Sequence, residues 1–238
     1  MRSRNNPWPA FVDLFSALLI TTLGGFILLS GVYDQDVKIY QQKEEQLKQI
    51  RQEAKQSIDQ VQTSLGSKTV VKEVRATETE RFFDLDIRFG TSDDTLDQEG
   101  SRRIAEICHE IRSIFNNLSS DQKRDIEIII EGHTDSQQAK IVDQREKDRF
   151  NWNLSARRAT SVLYEFAQNG IRSPEYQIVA TGFADSRPLC QDLTPECYSR
   201  NRRTTLCLRV NTKNIEDRLE SLLKGEGNPN QVNLPEKK

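Results

Sequence analysis

The chain opens on a block that is apolar on every side: PAFVDLFSALLITTLGGFILLSGVY, Pro9 to Tyr33, interrupted by one acid, Asp13. It supplies roughly the 20 apolar residues needed to cross a hydrocarbon core, so a single membrane helix is expected over residues 8–33. The next stretch changes character. DQDVKIYQQKEEQLKQIRQEAKQSIDQVQTSL contains neither Pro nor Gly, and Leu47, Ile50, Ala54, Ile58, Val61 and Leu65 recur at steps of three and four. This spacing predicts a helical linker over 34–66 with one narrow apolar stripe. The stripe fits a solvated amphipathic helix or a stalk paired with a second copy, although Lys43, Ser57 and Ser64 would weaken such a seam. At about 1.5 Å per residue the linker would reach roughly 45 Å.

Beyond Gly66 the pattern is that of a folded domain, expected over 70–212. Phe83, Leu85, Ile87 and Phe89 alternate with Phe82, Asp84, Asp86 and Arg88 in RFFDLDIRF, which predicts a strand with one buried face. The acidic run TSDDTLDQEG lacks the oxygen-ligand spacing of a calcium loop and reads as solvated. Ile104, Ile107, Ile111 and Leu118 then predict a helix, and DIEIIIEG a second strand. A polar loop is expected from His133 to Phe150, followed by a helix from Asn151 to Gln168 that Asn169-Gly170 stops. YQIVATG and RTTLCLRV supply a third and a fourth strand. The order β-α-β-α-β-β describes an α+β sandwich with two helices on a mixed sheet. Residues 213–238 are expected to add one short helix, through Ile215, Leu219, Leu222 and Leu223, and a disordered tail.

Charge and composition narrow the function. Hydrophobic residues make up 35% of the chain and charged ones 29%, lean for a wholly globular protein. A formal net charge of -2 lacks the basic excess that neutralising phosphates requires, so no nucleic-acid partner is expected. Arg2 and Arg4 precede the span, Asp34 and Asp36 follow it, and Trp8 and Tyr33 stand at its two edges. The positive-inside rule then places tail 1–7 in the cytoplasm and everything after Tyr33 outside it, as expected of a single-pass inner-membrane protein. A cleaved signal peptide fits less well, since there is no A-x-A-like site and an acid interrupts the apolar run.

Four cysteines in an exported domain are compatible with disulfides. Cys190 and Cys197 bracket the short polar loop QDLTPE and are expected to bridge, whereas Cys108 and Cys207, on a helix and a strand, suit either a second bridge or two buried thiols. Neither a nucleophile elbow nor a Walker loop nor a zinc spacing occurs, and His109 and His133 have no evident ligand partners. The sequence therefore points away from an enzyme and toward a protein without cofactor or resident metal.

Four motifs are more specific: EGHTD at 131–135, NWNLSARRA at 151–159, TGFADSRP at 181–188 and NRRTTLCLRV at 201–210. In this order they resemble the signature of OmpA-like peptidoglycan-binding domains, over roughly residues 81–210. The resemblance implies that Asp135 and Arg158 hold the charged end of a diaminopimelate peptide, and it matches Asn151 and Arg202 to further family positions. A ligand with an ammonium and a carboxylate on one end suits a site with one anion and one planar cation. Two departures bear on this site. The segment 136–150 is longer than usual and lacks the family's Gly, and Cys197-Tyr198 stands where Gly-Arg is expected. Some family members carry a disulfide near the same position.

A carboxylate in a span costs roughly 2.5–3.5 kcal/mol on insertion scales, which makes Asp13 the residue to explain. One span, a helical linker and an OmpA-like domain together resemble the MotB-like B subunits of flagellar-stator-type motors and of the Zorya anti-phage system. In PAFVDLFSALL, Asp13 falls at the family's acid and Ser16 at its hydroxyl, while Val12 and Phe15 replace the commoner Ala and Met. The resemblance implies a homodimer inside a pentameric MotA-like ring, with H+ or Na+ crossing by way of Asp13. Another reading stands beside it. Asp13 lies near the start of the span, where a carboxylate also has headgroup water within reach, and the chain then serves as a passive tether between inner membrane and cell wall.

Overall fold

The structure, a computed structural model, describes residues 8–66, 68, 71–87, 89, 93–136 and 143–223. The tail expected to be cytoplasmic and the tail expected to be disordered lie outside the described residues. So do residues 137–142, the first two residues of the acidic run, Thr91 and Ser92, and the side chains of Leu222 and Leu223. The chain divides into two compact units, Met1–Lys48 and Gln49–Lys238.

Helix α1 runs Trp8–Gly66, so the expected span and linker belong to one element. In the first unit its apolar residues, Leu14, Ile20 and Leu28 among them, are exposed. Over an 18-residue window the mean hydropathy reaches 2.0, and this helix is long and apolar enough to cross a membrane. Two of its polar side chains are satisfied within the helix: the Thr21 and Thr22 hydroxyls donate to carbonyls one turn earlier, Ala17 at 3.0 Å and Leu18 at 2.9 Å. Hydrocarbon offers no other acceptor, and this back-bonding removes the need for one.

From Gln49 onward the same helix belongs to the domain. Ala54, Ile58, Val61 and Leu65 are buried within a single chain. This part of the stripe, read above as facing solvent or a twin helix, instead packs on the chain's own core, because the domain offers apolar surface that the helix can cover. Ion pairs fasten its flanks, Asp59 to Arg81 at 2.6 Å and Arg51 to Glu216 at 2.7 Å, and Lys68, just past its end, pairs with Glu110 at 3.0 Å. Ser64 Oγ, expected to weaken a coiled-coil seam, donates to Glu110 at 2.5 Å.

The sheet has five strands in the order β1-β2-β5-β3-β4, with β1 Val71–Ala76, β2 Glu80–Leu85, β3 Ile126–Gly132, β4 Gln177–Gly182 and β5 Thr204–Val210. Neighbours run antiparallel except β3 and β4, which are parallel and joined by helix α4, Gln144–Gln168. The α+β order expected from the sequence is present, with β1 added at one edge. Helices α2 (Gln98–Phe115), α3 (Ser120–Arg124) and α5 (Pro195–Asn201) interrupt the connections, and α6, Thr212–Leu223, follows β5. Strand β2 ends at Leu85, four residues before the expected limit, and Phe89 forms an isolated bridge with Leu96. Helix α4 starts seven residues earlier than expected, where the Asp143 carboxylate accepts from Glu146 N at 3.0 Å and caps it.

Register assigns the two faces. Phe83, Leu206 and Ile130 are mutual partners and share one face, while Phe82, Cys207 and Ile129 share the other. Helix α4 covers the first. A Cβ on Gly132 would lie 2.0 Å from the Ser155 carbonyl oxygen, and one on Gly182 would lie 2.5 Å from Ala156 N. Both glycines therefore admit the helix backbone to the sheet. Cys108 is buried on α2, which packs beside α4, and Cys207 is on the opposite face. The sheet separates the two thiols, so the second bridge left open by the sequence does not form. Burial pushes both thiols up to about 12.

Substituting Gly132→Ala forces α4 off β3 or distorts both. The expected loss is about 1–3 kcal/mol of domain stability, read as a lower midpoint in chemical denaturation of the full chain in detergent.

Candidate functional site

Three segments converge where β3 ends. The first is the turn His133-Thr134-Asp135. Its backbone is fixed on both sides: His133 N donates to the Arg203 carbonyl at 3.0 Å and Thr134 N to the Ala184 carbonyl at 2.8 Å. The second is α4, whose close approach presents Asn151, Ser155 and Arg158, spaced by four and three, on its buried side. The third is the turn after β4. Ala184 takes a φ of 48° there, unusual for a residue with a Cβ, and is held by donating its N–H to Ser155 Oγ at 3.0 Å.

These segments, with Arg202 at the end of α5, bring together the four expected binding residues. The Asp135 carboxylate is buried and paired with the Arg202 guanidinium. Asn151 Nδ2 donates to the Asp135 carbonyl oxygen at 3.5 Å. Arg158, also buried, lies close enough to Asp135 and Arg202 for both charges to act on it. Burial first, and then the Arg202 charge, lower the Arg158 pKa, while Asp135 opposes them. One carboxylate flanked by two guanidiniums can receive a group that carries both signs of charge within a few ångström.

Other contributors were not legible as site residues. Phe89, read as a core strand position, lies with its ring 5.1 Å from the Arg158 guanidinium carbon. The Asp93 carbonyl accepts from Arg158 Nε at 2.9 Å, and Asp94 pairs with Arg157 at 3.2 Å. Part of the acidic run read as solvated therefore lies against the α4 arginines. Ser155 follows Leu154 in the Leu-Ser motif, and its role as acceptor for Ala184 depends on a loop distant in sequence.

Cys190 and Cys197 are joined by a disulfide. The bridged loop ends in α5 and leads directly to Arg202. His133, beside Asp135, is buried between Phe183, at 5.6 Å between ring centroids, and Glu131, whose carboxylate lies 3.3 Å from Nε2. Asp13 belongs to the other unit.

Residues 88–202 match the model of the OmpA family, and this stretch is an OmpA-like domain. The uncharacterized protein YtxE of Bacillus subtilis (strain 168) is 27% identical over 154 residues, which cover 65% of this chain and 59% of that protein. The chain thus spans less than two thirds of the length of that curated relative. The crystal structure of a putative MotB like protein from Desulfovibrio vulgaris superposes with a TM-score of 0.50 at 23% identity, over 69% of this chain and 98% of that one. The periplasmic domain of Helicobacter pylori MotB gives a TM-score of 0.48 at 19% identity, over 68% and 97%. The domain is OmpA-like and shares the fold of the Desulfovibrio MotB like protein.

Burial lowers the His133 pKa from its ordinary 6.5, against the opposing pull of Glu131. A histidine kept neutral in the folded state takes up its proton on unfolding once the pH falls below about 6.5. This contribution therefore destabilises the domain as pH drops below that value and levels off once the folded-state pKa is passed. His133→Gln is expected to flatten the melting-temperature profile between pH 7 and pH 5 relative to wild type.

Proposed function

We propose that this chain is the B subunit of an ion-driven rotary motor of the flagellar-stator or Zorya type. Its first unit is the ion-conducting span and its second the anchor to peptidoglycan. The observation that carries this reading is the pairing of the buried Asp135 and Arg158 with the more exposed Arg202 in an OmpA-like domain, on a chain that also carries an apolar helix bearing a carboxylate. A passive tether has a use for the cluster but none for Asp13. The motor reading uses both.

In this mechanism the domain lies in the periplasm and the helix crosses the inner membrane with its amino terminus in the cytoplasm. The Asp135 carboxylate receives the ammonium of a diaminopimelate peptide, and Arg158 and Arg202 receive its carboxylate. Planar guanidiniums suit this task because their paired N–H donors match a carboxylate edge to edge. Asn151 keeps the Asp135 backbone in place by bonding its carbonyl. With the domain held to the wall, two copies of the span sit inside a pentameric MotA-like ring. H+ or Na+ binds to and leaves each Asp13 as access alternates, and the ring turns around the anchored dimer. The roles are binding and transport rather than catalysis.

The chain is co-expressed with its multi-spanning ring partner, and cytosolic pH is followed after an imposed proton gradient, then cytosolic sodium after a sodium gradient. Wild type is expected to admit one of the two ions and Asp13→Asn neither. Equal flux through both, or none through either in an intact complex, leaves the tether as the better account. Independently, Asp135→Asn and Arg158→Ala are expected to weaken binding to isolated sacculi about tenfold or more, since each removes a charge-assisted contact of about 1.5–3 kcal/mol.

A further inference from the structure

Arg202 is the exposed member of the site. Its side chain retains 46% of its accessible surface, against 6% for the Asp135 it pairs with. A long cation in that position does not settle on one geometry unaided. Surface ion pairs lose most of their Coulomb gain to side-chain entropy and solvent screening. Arg202 follows directly on α5, a helix of seven residues, and short helices depend on tertiary contacts for their stability. Something must hold the root of this side chain.

Asn201, the last residue of α5, is 5% exposed and meets the loop that precedes the helix. Its Oδ1 accepts from Leu189 N at 2.8 Å and from Cys190 N at 3.3 Å, and its Nδ2 donates to the Cys190 carbonyl at 3.0 Å. The same amide lies 3.7 Å from Cys197 Sγ. The disulfide closes the other side of this ring by tying Cys190 to Cys197 one turn earlier in α5, with Cα atoms 5.7 Å apart. Two independent ties therefore converge on Cys190. One is covalent and the other is made by the residue next to Arg202. On the far side, the Arg203 carbonyl accepts from His133 N, two residues before Asp135. Arg202 is thus set between a clasped residue and one bonded to the turn that carries its partner.

We propose that Asn201 is the positioning residue that sets Arg202 against Asp135, and that the Cys190–Cys197 bond supports ligand binding through it. The inference rests on the anchoring role proposed above for Asp135, Arg158 and Arg202. The bridged loop then belongs to the binding apparatus. It replaces the Gly-Arg pair that the sequence lacks before Asn201 with a covalently closed support. Asn201 itself touches no ligand and acts through the geometry of its neighbour.

The test is a double-mutant cycle on the full chain in detergent, with calorimetric titration of a muropeptide whose stem contains diaminopimelate. Asn201→Ala and Arg202→Ala are each expected to weaken binding about tenfold, roughly the worth of one charge-assisted contact. The double variant is expected to bind no worse than Arg202→Ala alone, because coupled residues do not add. A merely structural Asn201 gives the product of the two losses instead, and that result, or wild-type affinity in Asn201→Ala, overturns the proposal. Replacing Cys190 and Cys197 by serine provides a second arm should Asn201→Ala fail to fold. It is expected to weaken binding in the wild-type background and to have no effect in Arg202→Ala; equal losses in both backgrounds overturn the proposal. Asp135→Asn and Arg158→Ala serve as references. If they bind as wild type, the anchoring site itself is misassigned; if they lose binding while the cycle is additive, only the positioning role fails.

Discussion

The close approach of α4 to strands β3 and β4 is the constraint on which the site depends. Gly132 and Gly182 lack side chains at the points where the helix backbone passes, and any larger residue would collide with Ser155 or Ala156. With the helix seated there, Asn151 and Arg158 reach the Asp135 turn, and Ser155 accepts from the strained Ala184. The parallel pairing of β3 with β4 follows from the same packing, since α4 is the crossover that joins them. Fold and site are therefore two outcomes of one contact. Gly132, one of the two glycines that make the contact possible, stands three positions before Asp135.

Much of this was legible because two signals agreed. DIEIIIEG and RTTLCLRV are buried strands of ordinary composition, and the apolar spacing of α2 is regular enough to be read alone. The candidate cluster is legible through the motif positions that Asp135, Asn151, Arg158 and Arg202 occupy, and the structure brings those four together. Spacing alone would not have assembled them, since Arg202 lies 67 positions from the Asp135 it pairs with. What escaped depended on pairing across long separations. Strand β1 has little alternation in VKEVRA and owes its existence to β2. The fate of Phe89 was set by where β2 stopped, which its own alternation did not reveal. Two short helices carry only brief local signs: the Ser119–Gln122 capping box of α3, and Thr194-Pro195 opening α5.

The stripe on α1 shows why periodicity identifies a helix and leaves its partner unnamed. Ala54, Ile58, Val61 and Leu65 have the spacing of a seam for a second copy, and an apolar stripe is equally satisfied by any apolar surface. Here that surface belongs to the same chain, and Arg81, Glu110 and Glu216 hold the helix against it by its flanks. Charges at the margins of such a stripe carry the information that the stripe lacks. Asp59 suits Arg81, and nothing in the heptad pattern announced it.

The Asp135–Arg202 pair has a consequence of its own. In the anchoring role proposed above, a site whose anion already holds an internal counter-ion does not wait as an exposed charge. Any cation that enters must share or displace the guanidinium, so association is an exchange of ion pairs in which little net charge is neutralised. The arriving group is measured against an incumbent, and a singly charged intruder that cannot also satisfy the released arginine gains little by staying. Discrimination of this kind comes from the requirement that both ends of the exchange close together.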